Sequence, residues 1–235
     1  MIKNYIAFDL ETTGLNVETD EIIEIGALKV RDGKVYDRFI EFVKPTKPIG
    51  AITTGITGIT NEMVSGARNT ETIIREFLQF CEKDILIGHN IMFDYKFIKM
   101  YAQKLGLSFD KKGIDTLGIS RKVHKDMSSK SLESLCTYYR IENKAAHRAY
   151  HDALATAKLY HILAHEYEQT DEALFAPKQL QYRPKKVQPC TKKQILYLYA
   201  LCEQYHIAIP QEVEKFTRSE MSREIDKIIA SYGKL

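Results

Sequence analysis

No run of apolar residues in this chain is long enough to cross a bilayer, which takes about 20 residues in a helix, so neither a membrane-spanning helix nor a membrane partner is expected. The start, Met1-Ile2-Lys3-Asn4-Tyr5, passes straight into a strand pattern, and no signal peptide is expected there. Cysteine is scarce: Cys81, Cys136, Cys190 and Cys202 form no C-x-x-C pair. That argues against a disulfide frame or a zinc site and for reduced thiols in the cytoplasm. Of the 6 prolines, Pro45 and Pro48 end a run of strands, because proline donates no backbone hydrogen bond. Three more fall in the polar, basic stretch Phe175–Pro189, which reads as a linker.

What is present fits a globular chain: 235 residues, 44% hydrophobic and 28% charged, enough for one large core or a large and a small one. The net charge of +3 is unevenly spread. Residues 178–235 hold 11 basic and 6 acidic side chains, against 23 and 25 in residues 1–177. Such asymmetry points to a polyanionic partner or to a solvated basic surface.

The chain is organised around Ile6-Ala7-Phe8-Asp9-Leu10-Glu11-Thr12-Thr13-Gly14, a buried strand over 4–10 that runs into a turn. Alternation on a strand puts Asp9 and Glu11 on one face and Phe8 and Leu10 on the other. Ile22–Val30 and Lys34–Val43 read as two further strands joined by Arg31-Asp32-Gly33, a hairpin signal. The Gly- and Thr-rich stretch Ile49–Gly66 reads as irregular. Asn69-Thr70-Glu71 opens a helix with Ile73, Ile74, Phe77, Leu78 and Cys81 at helical spacing. Ile85-Leu86-Ile87-Gly88 is a short buried strand, a helix carries Asp94 through Gln103, and Ile114-Asp115-Thr116 is one more strand. Helices open at Ser131–Leu135, over Ala149–Tyr167 and over Thr191–Tyr205, with one or two more before Leu235. A strand meander followed by alternating helices and strands is an α/β sheet with both faces covered, and ligands of such sheets gather beyond strand ends.

Asp9, Glu11 and, after Gly88, Asp94 fall near such ends, and Asp152 falls in the first turns of the helix over Ala149–Tyr167. Two adjacent carboxylates repel unless a cation lies between them, and hard oxygen donors on a rigid strand suit Mg²⁺ or Mn²⁺. A solvated acidic pair is the plain alternative. Two divalent ions about 3.5–4 Å apart are the apparatus for in-line attack at a phosphodiester. His147, five residues before Asp152, supplies a candidate base whose type titrates near neutrality. His151 is a neighbouring candidate, and order along the chain does not separate the two.

Phe8-Asp9-Leu10-Glu11-Thr12-Thr13-Gly14, His89-Asn90 with Phe93-Asp94, and His147-Arg148-Ala149 with Asp152-Ala153 together resemble the three motifs of the DnaQ-like (DEDDh) exonuclease family. That family includes the proofreading epsilon subunit of bacterial DNA polymerase III. Gly58–Val64 and Ile114-Asp115-Thr116 extend the likeness, which runs from about residue 4 to 167. The resemblance implies a ribonuclease H-like fold, a mixed sheet flanked by helices. It also implies four metal ligands, Asp9, Glu11, Asp94 and Asp152, and two divalent cations, Mg²⁺ or Mn²⁺. The family's His branch places the base five residues before the last Asp, so the resemblance prefers His147 over His151. It further implies that Thr12 meets the terminal 3′-hydroxyl through its backbone, and that Leu15 and Phe93 pack on the terminal nucleotide.

The organisation expected is an exonuclease domain at 1–170, a linker at 171–190 and a small basic helical module at 191–235. The expected substrate is a DNA 3′ end, with a DNA polymerase as a partner. An RNA substrate, as in the family's ribonuclease T and oligoribonuclease relatives, and a non-catalytic nucleic-acid-binding module are the rival readings. Gln169–Phe175 faintly resembles a sliding-clamp-binding peptide, one residue too long between Gln and Phe.

Overall fold

β1 (Tyr5–Thr12) sorts its side chains between two cores. Ile6, Phe8 and Leu10 enter one cluster with Ile73, Phe77 and Phe97, while Tyr5 and Ala7 enter the other with Leu135, Leu159 and Tyr160. Asp9 and Glu11 continue the Tyr5–Ala7 row, as the alternation requires. Each large aliphatic or aromatic side chain buried this way is worth roughly 1.5–3 kcal/mol relative to exposure. The structure is a computed structural model that describes residues 1–183 and 188–234. Residues 184–187 of the expected linker, and Leu235, lie outside the described residues.

β2 (Ile22–Arg31) and β3 (Lys34–Lys44) complete an antiparallel meander with β1. Asp32 and Gly33 both take positive φ, 49° and 76°, as a tight hairpin turn demands. Ile49–Gly66, expected to be irregular, instead holds two short helices, α1 (Ala51–Thr57) and α2 (Asn61–Ser65). They form because Gly58 closes α1 in the left-handed region and the Thr60 side chain caps Met63 N. Elements this short carry too little periodicity to be seen in the sequence.

Beyond them, β4 (Arg68–Asn69) pairs with the end of β3, and α3 (Thr70–Cys81) starts at an Asn69 cap. β5 (Leu86–Gly88) joins β1 in parallel, and β6 (Lys112–Asp115) joins β5 in parallel. α4 (Ile91–Lys104) begins three residues earlier than expected from the sequence. α5 (Thr116–Val123) starts on the Asp115 cap, so Thr116 opens a helix rather than ending a strand. α6 (Leu132–Tyr139) and α7 (Ala149–Tyr167) follow. β7 (Lys178–Gln179) pairs antiparallel with β6, giving a seven-stranded mixed sheet of order β4-β3-β2-β1-β5-β6-β7. α3 and α4 contribute to one core and α5, α6 and α7 to the other.

Met1–Tyr182 forms one compact unit and Arg183–Leu235 a second. The first part of the expected linker therefore packs with the sheet: Phe175 is 2% exposed and its ring lies 6.4 Å from Tyr160. The aromatic side chain that a clamp-binding peptide would present is buried in this core. The second unit is a helical pair, α8 (Lys192–Gln204) and α9 (Arg218–Tyr232). Each begins with a capping box, Thr191 with Gln194 and Thr217 with Glu220. Leu198, Leu201, Cys202, Met221 and Ile225 form its own small core. Among the described residues, no helix is long and apolar enough to cross a membrane.

Candidate active site

Asp9 faces Gly26 across the β1–β2 ladder. Gly26 has no Cβ for a reason of space: one there would lie 2.0 Å from Tyr150 N and 2.2 Å from Ala149 C. The first turn of α7 thus rests directly on β2, and Asp152 in that turn is brought down beside β1. One oxygen each from Asp9, Glu11 and Asp152 lie within 4.8 Å of one another. Residues separated by some 140 positions in the chain meet because a glycine lets a helix touch a strand.

Asp94 stands just outside this trio. It is 3% exposed near the start of α4, and its Oδ1 accepts a 3.0 Å hydrogen bond from Leu10 N. It is also the charge that acts most strongly on Asp9. Burial, then Asp94, Asp152, Glu11 and Glu24, push the Asp9 carboxyl well above its ordinary range. Glu11 is pushed up to about 8 by burial, Asp152 and Glu24, against the pull of Arg148. Burial likewise raises Asp94. Asp152 is raised by burial, against hydrogen bonds from the Asn143 side chain and the His147 backbone. Four carboxylates resisting ionisation together mark a place short of positive charge. The donors are all oxygen, on a strand and two helix starts, so a hard divalent cation fits them.

The turn before α7 is tied into this cluster. His147 takes φ 62°, and its backbone N donates to Asp152 Oδ2 at 2.9 Å, while Asn143 Nδ2 donates to Oδ1 at 2.6 Å. His147 is exposed, so its ring is open to water at the rim of the carboxylate cluster. His151 sits inside α7, its ring 5.8 Å from Tyr150. A second segment beside the cluster is the turn after β1, which begins just past Glu11 and Thr12. Thr12 Oγ1 donates to Gly14 O, Thr13 Oγ1 accepts from Glu21 N, and Thr53 Oγ1 on α1 donates to Thr13 O. A Cβ at Gly14 would meet the Asp20 carboxylate at 2.5 Å, so a larger residue there would turn that side chain aside. Leu15 projects from this turn 85% exposed, whereas Phe93 is half-buried with its ring 5.2 Å from Phe97.

His89 and Asn90 are supports. His89 Nε2 donates to Lys130 O at 2.9 Å, and its Nδ1 lies 2.9 Å from Thr116 Oγ1. Asn90 is left-handed, φ 66°, and its N donates to Asp115 Oδ1. Together they fix where α4 begins and hence where Asp94 stands.

Three residues escaped sequence reasoning. Asn143 lies in a loop without a motif. Glu24 and Gly26 sit inside an apolar strand, Ile22–Val30, where a charge and a glycine are both out of place. Glu24 is 1% exposed and accepts from Arg148 Nε and Nη2 and from Ala149 N. Its carboxylate, one of two charges in that run with Lys29, was the available signal.

A family model described as "Exonuclease" matches residues 6–160. A PolC-type DNA polymerase III of Caldanaerobacter subterraneus is 41% identical over 156 residues, 66% of this chain and 11% of that protein. The PolC-type DNA polymerase III of Bacillus subtilis is 38% identical over 160 residues, again 67% and 11%. The chain thus spans about a tenth of the length of these relatives. Among solved structures, Exonuclease X in complex with 5′-overhanging duplex DNA superposes with a TM-score of 0.59 at 24% identity, covering 72% of this chain and 96% of that one. E. coli Exonuclease I in complex with a dT13 oligonucleotide gives 0.66 at 19%, covering 74% and 44%. These two share the fold.

Proposed function

The chain belongs to the exonuclease family whose model spans its sheet domain, and on that premise we propose that it is a 3′→5′ exonuclease acting on DNA ends. The observation that carries this reading is the meeting of Asp9, Glu11 and Asp152 beside Asp94, under a turn that holds His147. The PolC-type relatives, which are DNA polymerases by name, favour DNA over RNA and a polymerase as partner.

In this reading the terminal nucleotide enters between the Thr12–Leu15 turn and the start of α4. Leu15 and Phe93 flank its base and sugar, and the Thr12 backbone meets its 3′-hydroxyl. Asp9, Glu11, Asp94 and Asp152 would hold two divalent cations, Mg²⁺ or Mn²⁺, which would supply positive charge to an in-line displacement at phosphorus. His147 takes the proton of the attacking water, for which its open position at the rim leaves room. The P–O3′ bond of the last phosphodiester breaks, a nucleoside 5′-monophosphate departs, and the shortened strand keeps a 3′-hydroxyl. The sheet domain, residues 1–170 with the β7 segment, carries this chemistry, and residues 191–235, with 7 basic and 6 acidic side chains, form a separate helical module.

The test is a degradation ladder on 5′-labelled single-stranded DNA and RNA of one sequence, with Mg²⁺ and with Mn²⁺. Faster shortening of DNA from its 3′ end is the expected result. Shortening of RNA alone moves the activity to RNA turnover, and binding without cleavage of either strand reduces the chain to a nucleic-acid-binding module.

A further inference from the structure

We propose that Glu24 and Arg148 form a positioning pair that sets His147 and Asp152 against Asp9 and Glu11. Glu24 lies directly opposite Glu11 on the neighbouring strand, an arrangement that costs stability unless a cation answers it. It is outside the trio that can share a metal ion, so its buried charge needs another explanation.

That explanation lies at the start of α7. Arg148 Nε stands 3.2 Å from both Glu24 oxygens and Nη2 2.8 Å from Oε1, while Ala149 N donates to Oε2 at 3.0 Å. Every one of these donors comes from two consecutive residues. Arg148 is the N-cap of α7 and its own side chain caps nothing; a carboxylate from β2 does that work instead, at the end of the helix that favours negative charge. The guanidinium also lies 5.2 Å from the centre of the Phe42 ring, and Phe42 is the residue opposite Glu24 on β3. Arg148 is therefore held by a carboxylate and an aromatic face on adjacent strands.

His147 comes immediately before, in the left-handed region that a non-glycine residue enters only when its surroundings impose it. It is fixed on one side by Asp152 and on the other by the Arg148–Glu24 contact. The pair thus anchors both the candidate base and the fourth carboxylate to the strand that faces β1. A lysine at 148 would keep the charge without the planar fork that meets two oxygens at once.

Arg148→Gln, Arg148→Lys, Glu24→Gln and the double Glu24→Gln/Arg148→Gln variant of the full chain test this. Mn²⁺ affinity is measured by calorimetry and kcat and KM on a single-stranded DNA oligonucleotide, with thermal unfolding as the fold check. Arg148→Gln is expected to weaken Mn²⁺ binding and lower kcat by about 10–100-fold, the usual cost of losing a residue that orients ligands, with KM little changed. Arg148→Lys should recover only part of the loss, and the double variant should cost no more than the worse single one. A bystander cation predicts the opposite sign, since removing positive charge beside four carboxylates tightens cation binding. Unchanged or tighter Mn²⁺ binding in folded Arg148→Gln, or full recovery by Arg148→Lys, overturns the proposal. Should Arg148→Gln fail to fold, wild-type behaviour of Arg148→Lys overturns it as well. The activity arm rests on the exonuclease reading. If the parent chain binds Mn²⁺ but cleaves no strand, that reading falls, and the affinity comparison still decides the pair.

Discussion

Gly26 stands across the sheet from Asp9, and the first turn of α7 occupies the space its side chain would fill. A methyl group at 26 has backbone on its far side, which cannot step aside as a flexible side chain can. Gly26→Ala should therefore lower unfolding free energy by about 1–3 kcal/mol and push Asp152 away from Asp9. Urea denaturation and Mn²⁺ titration of the same variant check both effects; a stable variant with normal Mn²⁺ affinity would show that α7 has room to move.

Asp9→Asn and Asp152→Asn each remove one member of the trio while keeping its volume. Turnover on a labelled oligonucleotide should fall by about a thousandfold or more, some 4 kcal/mol of transition-state stabilisation. The metal-free variants should melt at or above the temperature of the parent chain, because a repelling charge has gone from a buried cluster. Normal turnover in either variant would falsify the ligand assignment.

The pH dependence of the metal-free chain has a definite sign. Glu11 rises from its ordinary 4.5 to about 8 in the fold, so the folded state binds protons more tightly than the unfolded one. Its contribution is fully present below pH 4.5 and is lost as pH rises through about 8. Asp9, Asp94 and Asp152 shift in the same direction. Melting temperatures taken in a chelator should accordingly fall across this window, and saturating Mg²⁺ should flatten the curve. A chelated protein equally stable at both ends would mean the carboxylates are not forced together.

His147→Ala should lower kcat by about 10²–10⁴-fold, leaving Mn²⁺ affinity nearly intact. His151→Ala in parallel separates the two imidazoles. A loss of kcat confined to the His151 variant would transfer the role of base.

Much of this arrangement is legible in the chain. The faces of β1 follow from alternation alone, because a strand imposes a strict period on its residues, and the bounds of α7 match those expected from the sequence. α1 and α2 were hidden because seven and five residues barely complete one or two turns. β7 was hidden because two residues have no period at all. Glu24, Gly26 and Asn143 were hidden for a different reason. Their roles exist only through partners more than 100 positions away for Glu24 and Gly26, or across a turn with no repeating pattern for Asn143. Pairing register and helix docking decide such contacts, and neither is written in local spacing.

Register along β1 and β2 shifts between Glu11 and Thr12: Glu11 faces Glu24, and Thr12 faces Ile22. One residue of β2, Ile23, is absorbed there, at the point where the chemistry-bearing strand gives way to the Thr13–Glu21 loop. Slippage from a longer or shorter loop meets this irregularity before it reaches Asp9. The chain is in effect spliced at that point, with the Thr13–Glu21 loop on one side and the Asp9 and Glu11 carboxylates on the other. A change in the length of that loop is taken up at the shift, and the spacing of Asp9 and Glu11 along β1 stays where it is.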